Sequence, residues 1–175
     1  MTAGDERAGD AGADQPMQRK LGSDRSAARL AAVQALYQMD LAQTDLNDVV
    51  AEFMTHRFGS ENSESDVSEA DPEFFSNVLS GVLAHQRALD PLLDAQLAAG
   101  WRLVRIDSIM RAILRAAIYE LEHRPDIPGR VIINEYVDVA HAFFEGDEPK
   151  VVNGVLDKLA HRFRPGEFAD GGRAG

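Results

Sequence analysis

Arg25 and Arg29 stand four residues apart in "SDRSAARLAAVQALY", and Arg19 and Lys20 precede them by a few residues. On a helix, residues four apart share a face. These four cations face a single nearby acid, Asp24. Their chemistry is to hold an anion, and phosphate is the obvious one. Cations in a helix's first turn oppose its macrodipole at about 0.3–1 kcal/mol each, a placement that a merely solvated face would avoid. Two readings stand side by side. Either the pair meets phosphate, or Arg25 pairs with neighbouring acids and the stem of Arg29 lies over the core.

A second group occupies "EPKVVNGVLDKLAHRF", where Lys150, Lys158, Arg162 and Arg164 outweigh Asp157. Val151, Val152, Val155, Leu156, Leu159 and Phe163 recur at helical spacing. Gly154 interrupts that helix at a cost of roughly 1 kcal/mol relative to alanine. A glycine there permits close approach by a ligand or by a neighbouring helix, and both remain open. Asn153 carries an amide able to bond a base edge or to cap backbone. A third pattern is Arg111 and Arg115, again four apart. With Glu135 set among apolar residues, a partly buried arginine–glutamate pair is expected. Tyr119 and Tyr136 are expected in the core with their hydroxyls at a polar edge.

Catalytic signals are poor. The five histidines, His56, His85, His123, His141 and His161, are scattered without an HExxH or comparable ligand spacing, and there is no cysteine. "VLSGVL" around Ser80 lacks the GxSxG elbow. No catalytic residue, metal site or cofactor is expected.

The elements that must position these residues read as helices throughout. Apolar residues recur at intervals of three and four, and strict alternation is nowhere sustained. About seven helices are predicted. The first is capped by Ser23 or Asp24 and runs to Gln43; the second covers 46–58 and stops at Gly59. Asp71-Pro72 opens a third through His85, and Asp90-Pro91 a fourth, ended by Gly100, after which Trp101 and Leu103 anchor the connection. Asp107 opens the fifth, Pro128 the sixth, closed by Gly146, and Pro149 the seventh. The expected fold is all-α, two packed helical subdomains.

Charge divides the chain further. The net charge is -11, with four acids in residues 1–16 and six in 60–73. The expected organisation is an acidic flexible lead over 1–22, a helical domain over 23–163 with an acidic loop at 59–70, and a tail over 164–175. The acidity sits in the lead and the loop, so the folded body can still carry basic patches. The longest uncharged apolar stretch, "LAAVQALYQM", is ten residues, too short to span a bilayer. No basic, apolar leader opens the chain, and a cytoplasmic protein without membrane contact is expected.

Five stretches together resemble the NusB family of bacterial transcription antitermination factors. They are "ARLAAVQALYQMDL", "FFSNVLSGVLAHQRALD", "DSIMRAILRAAIYEL", "DIPGRVIINEYVDVAHAFF" and "EPKVVNGVLDKLA", in the family's order over most of residues 25–163. "INE" followed by "VNGVLDK" is the most specific part. The resemblance implies two three-helix bundles built around a shared helix and no enzymatic activity. It implies binding of the boxA element of ribosomal RNA leader transcripts together with NusE, the small-subunit ribosomal protein. The pair would then join the RNA polymerase elongation complex with the other Nus factors.

By the same resemblance the family's arginine-rich motif falls on Arg25 and Arg29, with Arg19 and Lys20 nearby, and Ser26, Ala27 and Ala28 stand where further arginines occur. The start of the last helix is expected beside that segment, with Lys150 reaching phosphate and Asn153 contributing to the RNA surface. Asp147 corresponds to an acidic position at the edge of that surface, and Val151 stands where an aromatic can occur. Tyr37 matches a position near the NusE-facing surface, as does the region of Met110. Two other classes compete with this expectation. One is the RNA-binding module of a methyltransferase, for which the chain length leaves no room. The other is a helical protein-interaction module without RNA activity.

Overall fold

The computed structural model describes residues 15–59, 67–100 and 107–168, and the side chains of 24–59, 67–96 and 107–168. Helix α1 spans Gln15–Ala42. Helix α2 spans Leu46–Glu52 and continues into a π-helical turn, Phe53–Arg57. Then follow α3 (Pro72–Gly100), α4 (Ser108–His123), α5 (Gly129–Phe143), α6 (Glu148–Phe163) and the short α7 (Pro165–Phe168). No strand occurs among the described residues.

Helix α4 is the centre of the fold. Every residue from Ala112 to Leu121 is buried. A helix buried on all sides cannot lie on a surface, so it must be walled in from every direction. It packs with α1 and α3 on one side and with α5 and α6 on the other, giving two three-helix bundles that share one member. Fully burying each of Ile113, Leu114, Ile118 and Leu121 contributes about 1.5–3 kcal/mol. Asp107 caps this helix, its Oδ1 accepting from the Ile109 amide at 3.0 Å. Asp71 likewise accepts from the Glu73 and Phe74 amides at the start of α3.

Seven α-helices occur among the described residues, the number predicted, but only because the short α7 in the expected tail offsets a merger elsewhere. The expected third and fourth helices are one, because α3 passes through Pro91. An interior proline removes a backbone hydrogen bond and costs about 3 kcal/mol or more. Here Leu89 and Leu93 sit fully buried on either side of it, and Asp90 holds Arg115, so tertiary contacts carry the helix across.

Helix α1 begins at Gln15, well before the expected cap at residues 23–24. Arg25 and Arg29 therefore lie inside the helix, and the macrodipole penalty proposed for them does not apply. At the other end the fold continues past the tail boundary drawn at 163. Arg164 is buried and donates to the backbone carbonyls of Leu121, Ile127, Glu120 and Arg124, while Phe168 packs into the core. Gly59, at φ +70°, ends the α2 unit as predicted. Residues 1–14, most of the acidic loop, Trp101 and Leu103 lie outside the described residues.

The directions of the helices follow from side-chain pairs along α4. Arg29 on α1 meets Glu120, whereas Tyr37 and Leu41 share a groove with Ile109, so α1 runs antiparallel to α4. On α3, Asn77 meets Arg124, Asp90 meets Arg115 and Asp94 meets Arg111, again antiparallel. Arg164, at the end of α6, lies on the last turn of α4, so α6 runs alongside it in the same sense.

Candidate nucleic-acid interface

Arg29 is the first correction. Its side chain is 2% exposed and bonds Glu120 through two parallel N–H···O contacts of 2.9 Å each. Tyr136 Oη donates to the same carboxylate, and Glu135 lies 3.8 Å from the guanidinium. Burial opposes the charge on Arg29, but the hydrogen bond and field of Glu120 outweigh it and hold the guanidinium above its ordinary pKa. Burial and the Glu120 charge likewise push the Tyr136 phenol well above its usual value, so it stays a donor. Arg29 thus faces the interior and cannot reach phosphate. The glutamate expected to pair with Arg111 or Arg115 belongs instead to this cluster, Glu135 also accepting from Ser26 Oγ at 2.7 Å. Arg115 pairs with Asp90 at 2.7 Å and Arg111 with Asp94 at 3.5 Å.

Arg25, one turn earlier, is exposed. Its guanidinium stands 5.0 Å from the centre of the Phe74 ring, at the rim of a cleft of about 260 Å³ lined also by Asn77, Arg124, Asp71 and Glu73. Arg124 is bound to Asp126 through bonds of 3.0 and 2.9 Å and to Asn77 at 2.9 Å. The Arg124 hydrogen bonds hold the Asp126 carboxyl at about 2, with a further contribution from the charge of Arg25. Arg124 is therefore neutralised by Asp126, and Arg25 is the cation this cleft presents to solvent. Arg19 and Lys20 lie on α1, but their side chains are outside the described residues.

The second basic group lies on α6. Pro149 sits in the first turn, and the backbone carbonyl of Asp147 accepts from the Lys150 and Val151 amides. The side chains of Asp147 and Lys150 are 84% and 86% exposed, with 3.8 Å between them. Such an exposed pair contributes little to stability, and both groups are free to meet a ligand. Asn153 and Gly154 are exposed on the same turn. A Cβ built on Gly154 would meet nothing within 4 Å. Of the two roles left open for this glycine, tight helix packing is therefore excluded, and alanine would be the better helix former by about 1 kcal/mol. Val151 is 8% exposed and is aliphatic, so it offers no ring to stack on a base and only an apolar edge to the cleft beside it.

Arg25 and Lys150 do not lie side by side. Arg29 marks the level of Glu120, and Arg25 lies a turn beyond it. Lys150 shares a cleft with Gln96, just past the level of Arg111. At 1.5 Å per residue, the two groups are separated by roughly 20 Å along the α4 axis alone. This corrects the expectation that the start of the last helix adjoins the arginine segment.

Tyr37 is half-buried and lines an apolar groove of about 420 Å³ with Val33, Leu41, Ile109 and Phe143. Leu41 is 63% exposed. Met110, expected on the partner surface, is 5% exposed and faces the core, and its neighbour Ile109 reaches the groove instead. Among the described residues no group of three or more acids and histidines could hold a metal, and no helix is long and apolar enough to cross a membrane.

The fold and these surfaces define an all-α protein of two bundles with a shared helix, cationic at two separate places. Residues 26–161 match the NusB family, and the chain belongs to it. It is 54% identical over 156 residues to the transcription antitermination protein NusB of Rhodopseudomonas palustris (strain BisB18), covering 89% of this chain and 92% of that one. It is 56% identical over 150 residues to the protein of the same name from Nitrobacter hamburgensis, covering 86% and 94%. The solved structure of T. maritima NusB superposes with a TM-score of 0.63 at 29% identity, over 78% of this chain and 89% of that one. The family is one of transcription antitermination proteins and not of enzymes.

Proposed function

We propose that the chain binds the boxA-type segment of ribosomal RNA leader transcripts together with NusE, and that the pair joins the RNA polymerase elongation complex with the other Nus factors. The observation that carries the reading is the separation of the two exposed basic groups. Cations separated by roughly 20 Å along the axis of one helical body suit an extended single strand, which carries a phosphate at every step. Arg25 supplies the first contact, with Arg19 and Lys20 ahead of it on α1. Lys150 and Asn153 supply the second. The groove of Tyr37, Leu41 and Ile109 takes NusE, whose contacting side chains must be largely apolar. Such work lies in the cytoplasm, beside nascent transcripts.

The test is fluorescence anisotropy with a boxA RNA over a salt series, with and without NusE. Arg25→Ala and Lys150→Ala each remove one phosphate contact, so each lowers the log–log salt slope by about 0.7. Asp147→Asn removes a carboxylate that repels phosphate and tightens binding. A wild-type protein that captures NusE yet ignores RNA at low salt would leave a protein-docking module, the reading that the exposed Leu41 favours.

A further inference from the structure

Lys150, Gly154 and Lys158 lie at intervals of four, so they form one line along α6. Beside that line runs a cleft of about 350 Å³ between α6 and the second half of α3. Val151 and Val155 form its floor, Gln96 its far wall, and the two lysines stand at either end. The lysines are about 12 Å apart along the helix axis, with bare backbone at Gly154 between them. Lys158 is exposed and has no carboxylate within ion-pair distance among the described residues; the Asp157 carboxylate lies instead 3.7 Å from the His161 ring. Among the described residues that line the cleft, Asp147 is the one acid, beside Lys150.

We propose that this cleft is a nucleotide subsite for single-stranded RNA, in which Lys150 and Lys158 each hold a phosphate and the nucleoside between them lies over Gly154. The inference rests on the RNA-binding reading above and adds Lys158, Gly154 and Gln96 to it. A volume near 350 Å³ is at the small end of ligand sites and suits one nucleotide. The apolar floor accepts the face of a base or ribose, and the cations match the charge on either side of it. Any side chain at position 154 would occupy the space the nucleoside needs. Gln96 offers both a donor and an acceptor to a base edge. A peptide with paired acids is the competing occupant, but it has no need of the bare backbone.

The experiment titrates the intact protein, isotopically labelled, with a short uridine-rich ribonucleotide while following the Gly154 amide by NMR. Anisotropy of the same RNA is read in parallel for three variants. Gly154→Leu is expected to raise the melting temperature, since alanine-like helix propensity replaces glycine in open space, and to weaken RNA binding about tenfold. Lys158→Ala should lower the salt slope by about 0.7. If RNA binds, Arg25→Ala weakens it, and yet Gly154→Leu, Lys158→Ala and the Gly154 amide are all silent, the subsite is wrong while the RNA reading stands. A Gly154 amide that responds to NusE but not to RNA assigns the cleft to protein and overturns it as well. Absence of any RNA binding by the wild type overturns both together.

Discussion

Arg29→Ala strips one partner from a pair that solvent barely reaches, Arg29 at 2% and Glu120 at 0% exposure. The two 2.9 Å bonds vanish, and the Glu120 carboxylate is left with the Tyr136 hydroxyl as its remaining donor. Removing one member of a buried ion pair costs about 3–5 kcal/mol, chiefly because a charge is left without its partner. For a chain of this size each kcal/mol moves the melting point by about 2–4 °C, so a fall of roughly 6–20 °C is expected. Thermal and urea unfolding followed by circular dichroism measure it. Arg29→Met combined with Glu120→Gln removes both charges and should regain most of the loss. Well below its melting point, the Arg29→Ala protein should bind RNA as the wild type does, because no phosphate touches this guanidinium. A loss of under about 1 kcal/mol accompanied by weakened RNA binding would put Arg29 back on the surface and refute the reasoning.

Three further expectations concern the joints between helices. Arg164→Ala removes a donor from four carbonyls at and just beyond the end of α4, leaving those of Leu121 and Ile127 without the bond Arg164 gave them, and cuts the Glu167 contact that holds α7. A loss of about 3 kcal/mol or more in urea unfolding is expected, and Arg164→Lys should restore little of it because one ammonium cannot span that set. Gly81→Ala would place a Cβ 2.1 Å from Tyr119 Cζ, so the Tyr119 ring must leave its site or α3 and α4 must part, at a cost of about 1–3 kcal/mol; adding Tyr119→Ala should relieve the clash. The Asp126 carboxyl is held at about 2 by Arg124, and Glu167 lies below its ordinary range through the Gly129 amide and Arg164. Their folded values are depressed, so the stabilisation is full above the ordinary carboxylate range near pH 4 and is lost as pH falls toward 2. Asp126→Asn should flatten acid unfolding across that window, most visibly at low salt, since the pair is exposed.

Much of the helical order was legible from spacing alone. Pro72, Pro128 and Pro149 lie at helix starts because the first turn needs no donor at that position, and Gly59 ends a helix because its φ of +70° excludes most side chains. Pro91 misled for the same physical reason. Local preference reads Asp-Pro as a start, and only the buried leucines on each side and the Asp90–Arg115 bond reveal a continuous helix. Arg29 could not be placed by periodicity, which treats arginine as surface. Its partner lies 91 positions away, in "YELEH", where Glu120 looks like any solvated acid. Arg164 hides likewise in "RFRPGEF", a polar, proline-bearing stretch whose role depends on carbonyls exposed at the end of another helix. Lys150, Asp147 and Asn153 were legible as exposed residues on one turn. Lys158 carries the same signal two intervals of four beyond Lys150, and only the cleft distinguishes it from a solvated lysine.

Helix α4 walls both bundles, so neither can be excised from the chain as an autonomous piece. Residues 15–100 without it are α1–α3 with an uncovered apolar trough, and residues beyond 107 without α1 and α3 expose the other side of the same helix. Two such fragments would be complementary halves of one object, each aggregation-prone alone and soluble together. Divergence along the chain is constrained accordingly: the ends of α1 and α6 can vary with the ligand, while the residues of α4 answer to the surfaces of four neighbouring helices at once and tolerate change only in concert.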